Sequence, residues 1–381
     1  MKHRLKVLHL GKFYPPHPGG METHLELLCR TIRDEVDVEV IVSADGKQTV
    51  RETIDGVPVT RIGTRFTLSS ASFNPGMAKA IREADAGIVH LHHPNPTAVL
   101  SYFAARPRGR LIVTYHSDIV RQKVLGPLVS PLIHAMLGRA YAIIASSPQY
   151  AASSPVLRRH EKRVRVIPFG IDAAEFQRVA ASEVARIRER YGPRIVFGAG
   201  RLVYYKGFEY LVRAIQHVGG ARLLIAGDGP LREPLAALVA ELGVKDRVTL
   251  LGAVPDLRPY YHAADVFALP AVARSEAFGI VQMEAMACGL PIVNTSLDTG
   301  VPFVSPHGET GLTVPPADVG ALAAALATLL DDADLRGRMG EAGRLRIELE
   351  LSAERMAERT LALYREAAVP PISEIYLNTT G

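Results

Sequence analysis

The chain has 381 residues, 48% hydrophobic and 22% charged, with a formal net charge of +5, so two globular domains are expected rather than one core. No apolar run nears the roughly 18–20 residues of a membrane span, and the opening "MKHRLKVLHLGKFYPP" reads as a first strand rather than a signal peptide. The charge is uneven: residues 1–190 carry 27 Lys+Arg against 17 Asp+Glu and the remainder 17 against 22, so the basic front half suits a polyanion, and its few aromatics favour an anionic membrane face or phosphorylated acceptor over nucleic acid.

In chain order, "KVLHLG", "VDVEVIVSA", "AGIVHLHH", "GRLIVTYHS", "AYAIIASS" and "RVRVIPFG" are compact apolar runs that read as strands of a sheet covered on both faces. "METHLELLCRTIRDE" and "NPGMAKAIREA" read as helices between them. The rhythm repeats with strands "RIVFGAGRL", "ARLLIAGDG", "RVTLLGAV", "ADVFALPA", "LPIVNTS" and "TGLTVPP", and helices "FEYLVRAIQHV", "LREPLAALVAELG" and "VGALAAALATLLDD". Alternation of this kind means a doubly wound α/β sheet, here twice. The expected domains are 1–180 and 190–350, joined near Ile171–Gly192, with a last amphipathic helix from about Ser352 to Ala368 inside a 351–381 tail. Cys29 and Cys288 lie far apart in helix-like contexts and read as buried thiols of a reducing cytoplasm. Two open α/β sheets facing one another leave a cleft, and ligands bind beyond the strand C-termini.

The chemistry-bearing residues follow those strand ends. "YPPHPGG" stiffens a loop with Pro15, Pro16 and Pro18 and ends it in Gly19-Gly20 at a helix start, where backbone N–H groups can approach an anion. No G-x-G-x-x-G follows the first strand and no G-x-x-x-x-G-K-[ST] occurs, which excludes dinucleotide and P-loop fingerprints. "TYHSD" ends a strand at His116, able to meet a ligand, with Asp118 either orienting it or capping the next helix. In "GAGRLVYYKG", Arg201 and Lys206 follow a strand among Gly198, Gly200 and Gly207; a guanidinium fork and an ammonium suit a pyrophosphate. Asp228 reads as a turn or cap residue, and Val254 and Asp256 sit at another strand end where a base could stack and bond. No loop offers an Asp-x-Asp pair suited to Mg²⁺, so no metal is expected.

"RSEAFGIVQMEAMACGLPIV" carries two carboxylates in an apolar stretch, Glu276 and Glu284. A helix apolar nearly all round is buried, and a carboxylate there needs donors. With Glu276 in the loop and the helix beginning at Phe278-Gly279, the N–H groups of Phe278, Gly279 and Ile280 and the helix dipole receive a phosphate. Glu284, a turn inward, then accepts from the two hydroxyls of a ribose.

These motifs resemble the retaining GT-B glycosyltransferases of family four. The resemblance rests on the E-x7-E pair Glu276 and Glu284, and runs through Gly19-Gly20, "YHSD", "VIPFGID" (166–172), "GRLVYYKG" (200–207), "AGDGP" (226–230) and "GETGLTVPP" (308–316). It implies two Rossmann-like domains about a cleft and a C-terminal helix returning to the first. By the same resemblance Arg201 and Lys206 bind the donor pyrophosphate, Glu276 the sugar hydroxyls and Glu284 the ribose. The backbone of Ala277 to Gly279 touches sugar and phosphate, His116 lies near the reacting carbon, and the Gly19-Gly20 loop closes on the phosphate. Val254 and Asp256 stand where related mannosyltransferases read guanine, favouring a GDP-sugar over a UDP-sugar. One departure concerns the sugar: "NTSLDTGVPFVSPHGETG" has Val301-Pro302-Phe303 where the family often has Pro-Glu, leaving Thr299, Gly300 and Val301 to line the pocket by backbone.

The implied reaction transfers a hexose, mannose being favoured, without a metal or other cofactor, the leaving phosphate itself accepting the acceptor's proton. The acceptor reading is a lipid-linked or other saccharide at the inner face of a membrane, from "IVRQKVLGPLVSPLIHAML" (119–137), with Leu125, Leu128, Val129, Leu132 and Ile133 read as exposed, and the basic "RRHEKRVR" (158–165). An epimerase or phosphorylase on the same double fold and a non-catalytic binding subunit stay open as rivals.

Overall fold

A computed structural model describes residues 4–17, 19–68, 71–118 and 126–369. The chain forms two compact units: residues 1–170 with 353–381, and residues 171–352. The join is therefore at 170/171, the leading edge of the stretch expected to link the domains. The stretch read as a linker folds into helices Ala173–Gln177 and Ala181–Tyr191 of the second unit. Only Tyr191 of the longer one is buried, which is why its sequence reads as solvent-facing. Arg188 ties it down through Asp265 at 3.1 Å, and that carboxylate also accepts from the Ile195 N–H at 2.7 Å.

The first unit is built on strands β1 (Lys6–Leu10), β2 (Asp37–Ser43), β3 (Val50–Ile54), β4 (Val57–Ile62), β7 (Ile88–His93), β8 (Arg110–Tyr115), β9 (Ala142–Ala145) and β10 (Val164–Val166), with β5 (Phe66–Leu68) and β6 (Ala71–Phe73) as a separate hairpin. The large sheet runs β10-β9-β8-β7-β1-β2-β4-β3 and is parallel except for the β3/β4 edge. That edge was missed in the sequence, although Asp55-Gly56 marks it. Both residues have positive φ, 48° and 77°, as the two-residue turn that matches strand twist requires. The helix Ala353–Ala368 belongs to this unit and packs on the helix Gly20–Ile32. Its buried residues Ala353, Met356, Ala357, Thr360, Tyr364 and Ala367 recur every three or four positions, one apolar stripe. A stripe of this sort holds at about 1.5–3 kcal/mol per large apolar side chain covered.

The second unit holds β11 (Ile195–Ala199), β12 (Arg222–Ala226), β13 (Val248–Gly252), β14 (Val266–Ala268), β15 (Ile292–Thr295) and β16 (Gly311–Val314), in the order β13-β12-β11-β14-β15-β16, all parallel. Each sheet is doubly wound and Rossmann-like. Strand order reverses between β1 and β7 in one and between β11 and β14 in the other. Loops after those strands are where such sheets take ligands. Among the described residues no helix is long and apolar enough to cross a membrane.

Candidate active site

In the second unit the loops after β11 and β14 meet at the switch point. Gly200 and Leu202 donate to the Ala226 and Asp228 carbonyls at 3.0 and 2.9 Å, locking the β11 loop to the β12 loop. Gly227, at φ 135°, lies so close that a Cβ there would sit 2.0 Å from the Gly200 oxygen. The Lys206 side chain passes over Gly200 in turn, with Cε and Nζ each 3.1 Å from where a Cβ would be. Its ammonium reaches Glu276 Oε2 at 2.7 Å, and both residues are only 8% exposed. The two charges, assigned separately to phosphate and sugar, are therefore a buried ion pair. Breaking such a pair strands its partner. Arg201 beside them is exposed, and among the described residues no side-chain hydrogen bond or ion pair engages its guanidinium.

Past Glu276 the chain enters the helix Ile280–Ala287 through Gly279 at φ 81°. The helix begins two residues later than expected, and Gly279 serves as its cap. A Cβ at Gly279 would lie 2.7 Å from both Gln282 Nε2 and Leu269 Cδ2. The first turn of a helix leaves N–H groups without helical acceptors, and Gly279 and Ile280 supply them here. Ala277 accepts from the Gly300 N–H at 2.7 Å, and Thr299 and Val301 are fully buried beside it. Thus the 299–301 backbone lies directly against Ala277 and Phe278. Gln282, wholly buried, accepts from Asn294 at 2.9 Å, and Asn294 also donates to the Val301 and Ser305 carbonyls. Asn294 escaped the sequence reading because an Asn inside an apolar strand carries no motif. Its position opposite the one buried amide of the helix could have found it.

Glu284 faces Tyr261, whose hydroxyl donates to Oε2 at 2.7 Å. Desolvation raises its carboxyl above the ordinary range, offset in part by that bond and by the Lys206 charge. The donor that this interior acid needed is partly supplied by the protein, leaving its other oxygen for a ligand. Asp228 caps its own turn, accepting from the Gly229 N–H at 2.7 Å. Asp256 departs from expectation. Both its oxygens are taken by Arg258, at 2.8 Å from Nε and 2.7 Å from Nη2, and it also accepts from the Arg258 N–H. The Arg258 fork holds this carboxyl below its usual range. Val254 is half-buried two residues before it. Asp256 is thus engaged by Arg258 in this structure, and Val254 carries no further mark of a base site.

The first unit bears on two further readings. Gly19 and Gly20 open the helix Gly20–Ile32, but a Cβ on Gly19 would lie 2.2 Å from Glu22 Oε2. The Glu22 carboxylate therefore lies beside Gly19, and burial raises its pKa, while Gly19 and Gly20 themselves are exposed. Pro18 lies outside the described residues. His116 is buried and Asp118 does not orient it; Asp118 instead accepts from Tyr115 at 3.0 Å and Ser154 at 2.7 Å. The partner of His116 is His92, Nδ1 to Nε2 at 3.1 Å, itself bonded to His9 at 3.1 Å. His24 and Phe169 flank it with centroids 5.1 Å away. Burial holds His9 and His24 at about 3 and His93 at about 4, and drives His90, His92 and His116 well below the ordinary value, helped by neighbouring imidazoles. All six are neutral at ordinary pH. "HLHH" on β7, with His90 and His92 sharing one face, was the signal.

Residues 119–125 of the stretch read as an acceptor surface lie outside the described residues. The helix Gly126–Arg139 buries Ile133, which the sequence put on the surface. Arg158, Arg159, Lys162, Arg163 and Arg165 are exposed.

The glycosyl transferases group 1 model matches residues 182–346 and the glycosyltransferase family 4 model residues 18–175. The chain is 35% identical to the D-rhamnosyltransferase WbpZ of Pseudomonas aeruginosa, over 89% of this chain and 91% of that one. It is 31% identical to the O-antigen chain mannosyltransferase C of Escherichia coli, over 94% and 98%. Against the GDP-mannose-dependent alpha-(1-6)-phosphatidylinositol monomannoside mannosyltransferase of Mycolicibacterium smegmatis it is 30% identical, over 87% and 91%. Among solved structures Anabaena HepE, in complex with UDP and glucose, superposes with a TM-score of 0.79 at 21% identity, over 95% of this chain and all of that one.

Proposed function

This chain belongs to glycosyltransferase family four, on the GT-B fold, and we propose that it transfers a hexose, mannose or a close relative, from a GDP-sugar with retention of anomeric configuration. One observation carries the reading. A buried Lys206–Glu276 pair stands at the switch point of the second unit, beside the exposed Arg201 and a glycine-capped helix start. As the bond from the anomeric carbon to the phosphate oxygen breaks, negative charge gathers on the departing diphosphate. Lys206, held by Glu276, cannot swing away, and Arg201 and the N–H groups of Gly279 and Ile280 complete a fixed positive surround. Removal of one preorganised donor of this type costs about 2.7–4 kcal/mol in comparable sites. Glu276 keeps its second oxygen for a sugar hydroxyl, and Glu284, anchored by Tyr261, takes the ribose diol. For His116, in the first unit, the reading rests on the family resemblance alone, which gives it a hydrogen bond to the sugar. The leaving diphosphate accepts the proton of the incoming hydroxyl.

Support for guanine comes from the relatives' names, not from Asp256, which is spent on Arg258. For the acceptor, a lipid-linked saccharide is supported by an apolar groove of about 320 Å³ in the first unit. Phe66 (58% exposed) stacks on Phe73 (49% exposed) at 4.8 Å along it, beside Leu100. The exposed basic run 158–165 suits the anionic inner face of a membrane. Incubation with a panel of GDP- and UDP-sugars tests the donor: release of GDP from GDP-mannose is expected, and release only of UDP, or none, contradicts it. Flotation with anionic liposomes tests the surface, and no binding at low salt removes it.

A further inference from the structure

A continuous chain of hydrogen-bonding groups runs through the first unit from the returning C-terminal helix to His116. Thr114 Oγ1 lies 2.7 Å from His90 Nε2, and His90 Nδ1 lies 2.5 Å from the Tyr364 hydroxyl. That hydroxyl lies 3.3 Å from His9 Nε2; His9 Nδ1 meets His92 Nε2 at 3.1 Å, and His92 Nδ1 meets His116 Nε2 at 3.1 Å. Every ring on this path is buried, and a neutral imidazole has one donor and one acceptor nitrogen. Direction at one link therefore dictates direction at all of them. Either each ring carries its proton on Nδ1 or each carries it on Nε2; a mixture leaves facing protons, facing lone pairs or, at Tyr364, a phenol proton without an acceptor in the core, at a desolvation cost.

The two bonds of Tyr364 differ, and the difference selects one direction. An O–H donor makes shorter bonds than an N–H donor. The short contact to His90 Nδ1 is the one in which the phenol donates, so the long contact is His9 Nε2–H donating to the phenol oxygen. His9 Nδ1 then accepts from His92 Nε2–H, His92 Nδ1 accepts from His116 Nε2–H, and His90 Nε2–H donates to Thr114. We propose that Tyr364, through His9 and His92, is a positioning residue that fixes His116 as the Nε2–H tautomer and leaves its Nδ1 a bare acceptor. Among the described residues no hydrogen bond of the chain engages that Nδ1, so it is available to a ligand hydroxyl. The consequence for transfer rests on His116 meeting the sugar; the tautomer itself does not.

Nitrogen-15 spectra of the intact histidine-labelled protein test the assignment without any substrate. The His116 Nδ1 resonance is expected in the unprotonated range and Nε2 in the protonated range, with the half-exposed His134–His160 pair as an internal reference. Tyr364→Phe is expected to shift the His116 pair towards the mixed-tautomer average. Thr114→Val, which removes the other end while keeping the side-chain shape, is expected to do the same and serves if Tyr364→Phe fails to fold. A protonated Nδ1 in the unsubstituted protein overturns the proposal. So do variants that lose thermal stability yet leave the His116 resonances in place. So, finally, does a stoichiometric transition metal on His24, His92 and His116, whose ring nitrogens lie within 4.8 Å of one another.

Discussion

Each unit buries ionisable side chains near its switch point, and the two do so in opposite ways. In the second, Lys206 and Glu276 are joined at 2.7 Å, each the other's counter-ion. In the first, His9, His90, His92 and His116 stay neutral because burial suppresses protonation and a shared line of hydrogen bonds uses their nitrogens. A charged pair stores field that a reaction can use, and loses everything when one member goes. A neutral chain stores orientation, and fails when protons are forced onto it. That contrast yields distinct ways of breaking the molecule.

The largest effect is expected from Lys206→Ala. It strands a buried carboxylate, costing about 3–5 kcal/mol of stability, and lowers turnover by about 10²–10³ while changing donor affinity far less. Denaturant melts and steady-state kinetics check both. Lys206→Met with Glu276→Gln is expected to recover the stability and none of the turnover, separating the field from the fold.

Acid attacks the other unit. The folded-state values of His9 and His24, about 3, lie below the unfolded value of 6.5, so the unfolded chain binds protons first. The stability these rings provide is full above pH 6.5 and is lost as pH falls towards 3. Two such rings remove about 2.7 kcal/mol per pH unit through the middle of that window. Melting midpoints between pH 7 and 4 are expected to fall steeply, and a flat profile would mean that solvent already reaches the rings.

Tyr261→Phe probes a group between the two regimes, since Glu284 is a carboxyl with a neutral donor. Loss of that bond is expected to weaken GDP binding by about 1 kcal/mol in calorimetry, with turnover at saturating donor nearly unchanged. Smallest of all, Asp256→Ala removes an exposed pair with Arg258 and is expected to leave the melting midpoint unresolved from the parent. A large loss of GDP affinity there would restore the base-reading role.

Much of this was legible in the chain itself. Compact apolar runs marked twelve of the thirteen parallel strands, β4 being the exception. Arg201, Lys206, Glu276, Gly279 and Glu284 were singled out by their places after strands and by spacing, and the structure pairs Lys206 with Glu276. What stayed hidden shares a cause: spacing says where a side chain starts, not which neighbour it finds. Glu22 lies beside Gly19, Arg258 takes Asp256, and Tyr364 arrives beside His90 from 274 residues away. The helix 181–191 hid because it buries one residue.

A crystal structure with GDP bound tests the central claim most directly. The account requires the diphosphate against Arg201, Lys206 and the Gly279–Ile280 amides, with the ribose hydroxyls on Glu284. A diphosphate bound away from Lys206, with the Lys206–Glu276 pair untouched and Glu284 facing only Tyr261, would contradict it.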